Sequence, residues 1–535
     1  ELEMENEIIH IADSRTGEAI LTTKTMLNLE REMLNKAIHL SQKSTHSVSE
    51  KLVDKAIDEF HKDKEWRLDE EQINALRHIT KNEALTLING AAGAGKTTSL
   101  EVAANVWKTS GYNVIGAAIS GKAASGLQEG TNNLIASQTI ASLLTEIENG
   151  HKALTNKDIL VIDESGMIDS RTMHKLISIV EQAGAKLVLV GDNRQLQPIQ
   201  SGGANRIIQE RIGFAEVVGH RRQNEDWAKQ ASSDIRNGNI MGISQYHQRG
   251  FLSFSDDRNE AISQTVNGYI KDAKNSLTDT IMLASTRNEV AQLNALARSK
   301  LQEIGVIEKE EITISTDTGK LHLSIGDRLL FTKNNKILNV KNGNLGVLKD
   351  IEYLDDDIIM TIKLDGGRTV QISVQEYSHI QHGYAITTHK SQGATVQHSH
   401  VLSGSCMTDL QSTYVNLTRH KQSAHIYSDR RSIEQLAATA EPTQLMVDYA
   451  KDVAEKENLE LPEHWQTDFI VCRDFLNEHA ERFIYAENED KDFADLKLLA
   501  EAMSKDNVKE TTLDYLKQSS KETFQPQLNT DELQL

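Results

Sequence analysis

From residue 67 to about 212, short apolar runs alternate with amphipathic stretches, and this rhythm organises the chain. The runs are Leu85–Ile88, Val114–Ile119, Ile159–Ile162 and Lys186–Val190. Each is dominated by apolar residues, as strands buried on both faces of a parallel sheet are. The stretches between them are long enough for covering helices, so the pattern predicts β-α-β units. The rhythm continues over 213–322, with a strand at Thr280–Ala284, and returns from 383 to about 428. Residues 323–375 break it. There, β-type runs are separated by Asn342-Gly343 and Asp365-Gly366-Gly367, which predicts a small antiparallel sheet or barrel. That unit reads as an insertion in a second α/β domain.

The ends differ from the middle. Residues 1–66 show helical periodicity, as in Met26-Leu-Asn-Leu-Glu-Arg-Glu-Met-Leu34, with a linker-like stretch at 41–50. Residues 431–510 read as helical and acidic, and 516–535 as disordered. Only Pro198 precedes residue 442, so the α/β region is little interrupted by proline. The expected division is therefore 1–66, 67–212, 213–322, 323–375, 376–430 and 431–535.

Composition narrows the class. Of 535 residues, 38% are hydrophobic and 25% charged, which fits a soluble globular chain of several domains. No apolar run is long enough to span a bilayer, and the acidic start is unlike a secretory signal. Membrane insertion is not expected, and a reducing, cytoplasmic setting is. The two cysteines, Cys406 and Cys472, cannot build a disulfide framework. The chain opens on Glu1 and reads as a fragment or a processed piece. Its net charge of −20 argues at first against nucleic acid. The acid is concentrated at the ends, however: residues 431–535 hold 24 acidic against 11 basic residues, whereas 67–430 hold 40 against 38. A balanced middle can carry a basic groove.

The chemistry centres on Gly90-Ala91-Ala92-Gly93-Ala94-Gly95-Lys96-Thr97. This is the G-x-x-x-x-G-K-[ST] pattern, set between a predicted strand and a predicted helix that opens with Thr98. The glycines allow tight turns that aim backbone N–H groups at phosphate oxygens, and the helix start adds its positive end. Lys96 is placed to reach the β and γ phosphates, and Thr97 to hold Mg²⁺. Ile159-Leu-Val-Ile-Asp163-Glu164 is a buried strand ending in two carboxylates. Asp163 suits a magnesium water shell, and Glu164 suits activation of the attacking water. A third strand, Leu187–Val190, leads to Asp192 and Gln195, and Gln195 is a neutral group able to sense a γ-phosphate. His398-Ser-His400 has His-x-His spacing. An exposed strand edge is favoured there over a metal site.

Taken in order, these motifs resemble the superfamily 1 helicases of the RecD/TraA type over residues 67–430. Arg67-Leu-Asp-Glu-Glu-Gln72 resembles the adenine-reading segment, with Gln72 as reader. Ala117–Leu127, Ser137–Leu143, Gly219–Gln223, His382–Thr395 and Tyr414–Arg419 resemble the later motifs of that group. The resemblance implies two RecA-like P-loop NTPase domains, an SH3-like β-insertion in the second (Ile325–Phe331 and Val340–Val347), and helical extensions at both ends. It implies ATP and Mg²⁺ between the domains, with Arg222 and Arg419 coming from the second domain as arginine fingers. It places Ser120, Lys122, Thr139, His389 and Ser391 on single-stranded DNA, implies 5′-to-3′ travel, and allows duplex with a single-stranded tail as substrate. Thr22–Leu27, Trp227–Ser232 and Arg236–Gly238 resemble the helicase part of TraA/TraI/TrwC conjugative relaxases, whose nicking domain is not found here. A repair helicase like RecD and a nucleotide-switched DNA-binding protein stay open as alternatives. The acidic C-terminal region reads as a solvated, partly helical tail or as a docking segment for a conjugation or secretion coupling partner.

Overall fold

A computed structural model describes residues 8–12 and 19–514, apart from 199, 201, 220, 275, 355–356, 439–441, 443, 480–490 and 508. The tail expected to be disordered, 516–535, lies outside the described residues. A six-stranded parallel sheet forms from the first apolar runs, in the order Ala136–Thr139, Asn113–Ala118, Asp158–Asp163, Lys186–Gly191, Leu85–Gly90 and Ala215–Val217. Leu85–Gly90 and Lys186–Gly191 are buried along their whole lengths, which explains their unbroken apolar character. Covering helices bury one stripe each against the two faces.

The second sheet is also parallel. Its order is Ala385–Thr387, Thr280–Ala284, Val396–Leu402, His420–Asp429 and Leu252–Ser255. Between its strands the chain makes a hairpin, Ile312–Thr316 with Gly319–Leu323, and a five-stranded antiparallel sheet. The antiparallel order is Thr369–Ser373, Asp357–Leu364, Leu345–Leu354, Arg328–Phe331 and Ile380–His382.

Four expectations shift. The first sheet does not stop at residue 212, because Ala215–Val217 pairs with the phosphate-loop strand. The inserted β-structure begins with the hairpin at Ile312 and runs to His382, beyond 323–375. The N-terminal region is not simply helical: a strand pair, Ile8–Ala12 with Ala19–Thr23, precedes its helices. Nor is it an appendage. Helix Lys24–Gln42 buries Leu27, Met33, Leu34 and Leu40 in the core beneath the first sheet. At about 1.5–3 kcal/mol per buried side chain, that face binds the helix firmly. Of the stretch expected as a linker, 41–50, only Ser41, Gln42 and Glu50 are helical, and Ser44 is bridged to Glu83.

The fourth shift concerns the C-terminal region, which is not a solvated tail. Helix Lys491–Ser504 places Leu496, Leu499, Ala500 and Met503 in the core of the second domain. The chain then crosses to the first domain. Asp506 accepts from Gln411 of the second domain and Arg194 of the first, both at 2.6 Å. Thr512 N–H donates to the buried Glu30 carboxylate at 2.8 Å, Asp514 pairs with Arg206, and Leu513 enters the first core. One segment therefore pins both α/β domains.

Candidate nucleotide site between the two sheets

The phosphate loop sits between strand Leu85–Gly90 and helix Lys96–Thr109. Gly93 has φ 73°, and a Cβ there would lie 2.7 Å from the Cβ of Arg222. Gly95 has φ 85°, and a Cβ would meet the Gln72 amide nitrogen at 2.3 Å. Both positions need glycine for backbone angle and for close approach. Lys96 curls over the loop, donating from Nζ to the carbonyls of Gly90 at 2.5 Å and Ala91 at 3.1 Å. Thr97 and Thr98 follow in the first helical turn, partly exposed, and Ala94 is buried beneath the loop.

Gln72 is fully buried. It closes the capping box with Asp69, and its amide donates to the Gly95 carbonyl at 3.2 Å. In this state the expected adenine reader is engaged with the loop itself.

Asp163 ends its strand beside the loop, and its carboxylate accepts the Glu164 N–H at 2.9 Å. Burial, reinforced by the Glu164 charge, raises the Asp163 pKa, with Lys96 opposing the shift. Glu164 sits in the left-handed region at φ 53°, ψ 39°, an uncommon backbone for a non-glycine and one that concentrates at functional sites. Gln195 is buried, and its amide donates to Asp192 at 3.3 Å.

Both expected arginines reach this place. Arg222, expected from the second domain, lies on the connection between strand Ala215–Val217 of the first sheet and helix Asp226–Arg236, whose Ala231 and Ile235 pack in the second core. Its Nη1 donates to the Thr418 carbonyl at 2.6 Å. Arg419 is 2% exposed and donates to Val415 O at 2.8 Å and Thr418 Oγ1 at 2.9 Å. Burial, and then the neighbouring Arg222, pull its pKa down to about 9. Among the described residues neither arginine is paired to a carboxylate.

Sequence reasoning gave no role to several residues here. Tyr414, fully buried, accepts the Ala92 N–H at 2.9 Å across the domain boundary. Arg236 spans to Asp192 at 3.6 Å and Glu216 at 3.3 Å. Arg221 pairs with Asp69. Gln392 donates to Glu164 at 3.3 Å. Tyr414 and Gln392 stood inside recognised motifs. Their partners depend on how the domains meet, which local pattern does not show.

The residues expected on DNA divide. Ser120 and Thr139 are N-caps whose hydroxyls accept from Ala123 and Ser142. A groove of about 200 Å³ runs beside them, lined by Gly121, Ser137, Gln138, Thr139 and Ser142 and, across it, by Asn334–Lys336 and Asn339–Lys341 of the inserted unit. Lys122 lies next to Gly343 of that unit, and burial lowers its pKa to about 8. His389 is exposed. Ser391 is not: it is fully buried and its hydroxyl donates to the Thr388 carbonyl at 2.7 Å. Its side chain is turned inward because the short turn Thr388–Ser391 uses it as an internal tie. His398 and His400 are not at an edge either. Their strand is central, and His400 is buried against Asp272 and Tyr427. No group of three potential metal-ligating side chains occurs among the described residues. Nor is any helix among them long and apolar enough to cross a membrane.

Parallel sheets with a glycine-rich loop, paired carboxylates and facing arginines define a P-loop NTPase of RecA-like α/β build. An AAA domain family model matches residues 67–257. The probable conjugal transfer protein TraA of Sinorhizobium fredii is 38% identical over 433 residues, covering 81% of this chain and 38% of that protein. The ATP-dependent RecD2 DNA helicase of Deinococcus radiodurans is 24% identical over 337 residues, covering 61% of this chain and 44% of that one. A crystal structure of Pif1 helicase from Candida albicans aligns with a TM-score of 0.48 at 18% identity, over 69% of this chain and 98% of that one. Over these spans the chain is similar to TraA and to RecD-type proteins. It spans well under half the length of the TraA relative it matches.

Proposed function

We propose that this chain is an ATP-driven motor that travels 5′ to 3′ on single-stranded DNA and unwinds plasmid duplex from a single-stranded tail during conjugative transfer. The observation that carries the reading is the placement of Lys96 over the phosphate loop, of Arg222 against Gly93 of that loop, and of Arg419 next to Arg222 and Glu164. None of the three is ion-paired to a carboxylate among the described residues. Clustered cations held only by carbonyls and a hydroxyl are costly unless a polyanion joins them. A nucleoside triphosphate is that polyanion. The oxygen donors Thr97 and Asp163 suit Mg²⁺, which would neutralise phosphate charge when bound.

In the proposed reaction a water oxygen attacks the γ-phosphorus while Glu164 accepts the water proton. The bond to the bridging β–γ oxygen breaks, and ADP carries off that oxygen. Arg222 and Arg419 stabilise the charge on the transferring group. Gln195 senses the γ-phosphate and passes its presence through Asp192 to Arg236. Single-stranded DNA lies in the groove between Ser120, Lys122 and Thr139 and the loop of the inserted unit, which acts as an SH3-like grip. His389 faces the same strand. Backbone contacts of this kind bind without reading sequence.

The test is ATP turnover with and without single-stranded DNA, followed by unwinding of 5′-tailed and 3′-tailed duplexes. We expect DNA-stimulated turnover, unwinding of the 5′-tailed substrate alone, and loss of turnover in Lys96→Ala and Glu164→Gln. Wild-type turnover in Glu164→Gln would remove the assignment of the base. Binding of DNA without unwinding of either substrate would replace the motor by a nucleotide-switched binding protein.

A further inference from the structure

Asp506 divides its carboxylate between the two α/β domains. Oδ1 accepts from Gln411 Nε2 and Oδ2 from Arg194 Nη1, both at 2.6 Å. Each partner belongs to a segment that supplies the nucleotide site. Arg194 immediately precedes Gln195, on the turn that leaves strand Lys186–Gly191. Gln411 lies in the first turn of helix Leu410–Leu417, which carries Tyr414 and leads on to Thr418 and Arg419. Residues 505–507 also hold the start of that helix. Leu410 N–H donates to Lys505 O at 2.9 Å, Asn507 N–H to Gln411 Oε1 at 3.3 Å, and Asn507 Nδ2 to Asp409 Oδ2 at 3.3 Å. Both ends of the buried Gln411 carboxamide are therefore taken by Asp506 and Asn507. The Arg194 and Asp506 side chains are 40% and 39% exposed. An ion pair this open adds little to stability, so what it supplies is spacing between the two segments.

We propose that Asp506 is a positioning residue that sets the helix leading to Arg419 at a fixed distance from the turn that carries Gln195. The inference rests on the reading of Arg419 and Gln195 as groups that meet the γ-phosphate. Asp506 itself takes no part in the chemistry. Its own place is fixed from both sides, by Leu499 and Met503 in the second core and by Leu513 in the first. A short helix moves as a rod, so a slip at Gln411 is carried to the far end, where Thr418 and Arg419 follow. Alignment at a reacting centre is sensitive to displacements of about 1 Å, which can cost about a hundredfold in rate.

The test uses the full chain and ATP turnover at saturating oligo-dT. Asp506→Ala frees both partners. We expect kcat to fall about ten- to hundredfold while KM for ATP changes less than about twofold, the split of an interaction used in the transition state. The denaturant midpoint should stay where it is, whereas a merely structural contact would move the midpoint and spare kcat. A charge swap decides the matter if both move. Asp506→Arg and Arg194→Asp each set like charges face to face and should each slow turnover. The double variant should recover most of the wild-type kcat, because an arginine at the first position can donate both to the new carboxylate and to Gln411 Oε1. Full kcat in Asp506→Ala, a loss confined to KM, or a double variant as slow as the slower single one would each overturn the proposal. Arg419→Ala is run alongside. If that variant keeps turnover, the reading of Arg419 has failed. If it is inactive while Asp506→Ala is normal, only the present inference has.

Discussion

Tyr414 offers a quantitative test of how the two domains share the phosphate loop. Its hydroxyl accepts the Ala92 N–H at 2.9 Å, from a side chain wholly buried on helix Leu410–Leu417. A phosphate seated in the loop needs those backbone N–H groups. The tyrosine therefore competes with nucleotide for one of them. Tyr414→Phe keeps the ring and removes the competitor. A net intramolecular hydrogen bond is worth about 0.5–1.5 kcal/mol, so nucleotide should bind about two- to twelvefold more tightly. The same loss should lower apparent stability without nucleotide by about 1 kcal/mol, because Ala92 is left unpaired in a dry place. Titration with a fluorescent nucleotide reads the first effect, and denaturant unfolding with a constant m-value reads the second. Weaker nucleotide binding in Tyr414→Phe would refute the reasoning, since it would mean that the hydroxyl assists the phosphate.

Other consequences can be measured in parallel. Arg419→Lys cannot reproduce the fixed fork that holds both Val415 O and Thr418 Oγ1, so kcat should fall about 10³-fold with the fold intact. Lys122 has a pKa near 8 in the free protein, so it carries charge below that pH and loses it above. Affinity for single-stranded DNA should thus drop between pH 7 and 9 by more in the wild type than in Lys122→Ala; equal slopes would remove Lys122 from the DNA path. Leu513→Asp puts a charge into the first core and should cost about 3 kcal/mol or more in denaturant unfolding, whereas a solvated tail would tolerate it.

The phosphate loop, the carboxylate pair and the core strands were legible because each is a local pattern. A strand buried on both faces must be apolar throughout, and a phosphate cradle must have glycines at set spacing. What depended on distant pairing was not legible. The centrality of Val396–Leu402 is decided by Thr280–Ala284 and His420–Asp429, which flank it from far along the chain. Ala215–Val217 is three residues long and joins the first sheet only because Leu85–Gly90 offers an open edge. Residues 505–514 are mostly polar with one leucine, so nothing in their periodicity announces an anchor. Their partners in the first domain lie about 300 to 480 residues away. Ser391 looked like a phosphate contact by type and place, yet a four-residue turn needed its hydroxyl more.

That long-range anchor has a consequence for how the protein is made. Glu30 and Thr512 are separated by 482 residues, and Leu513 shares a core with Leu27 and Met33. At a synthesis rate of about 5–20 residues per second, roughly 25 to 100 s pass between the emergence of the two partners. Through that interval the helix Lys24–Gln42 can dock on the nascent first sheet, but the place that Leu513 covers stays open. The first domain is thus begun early and sealed late, after the second domain has its strands. Nascent chains stalled before residue 505 should be more open to protease at helix Lys24–Gln42 than chains released after 514.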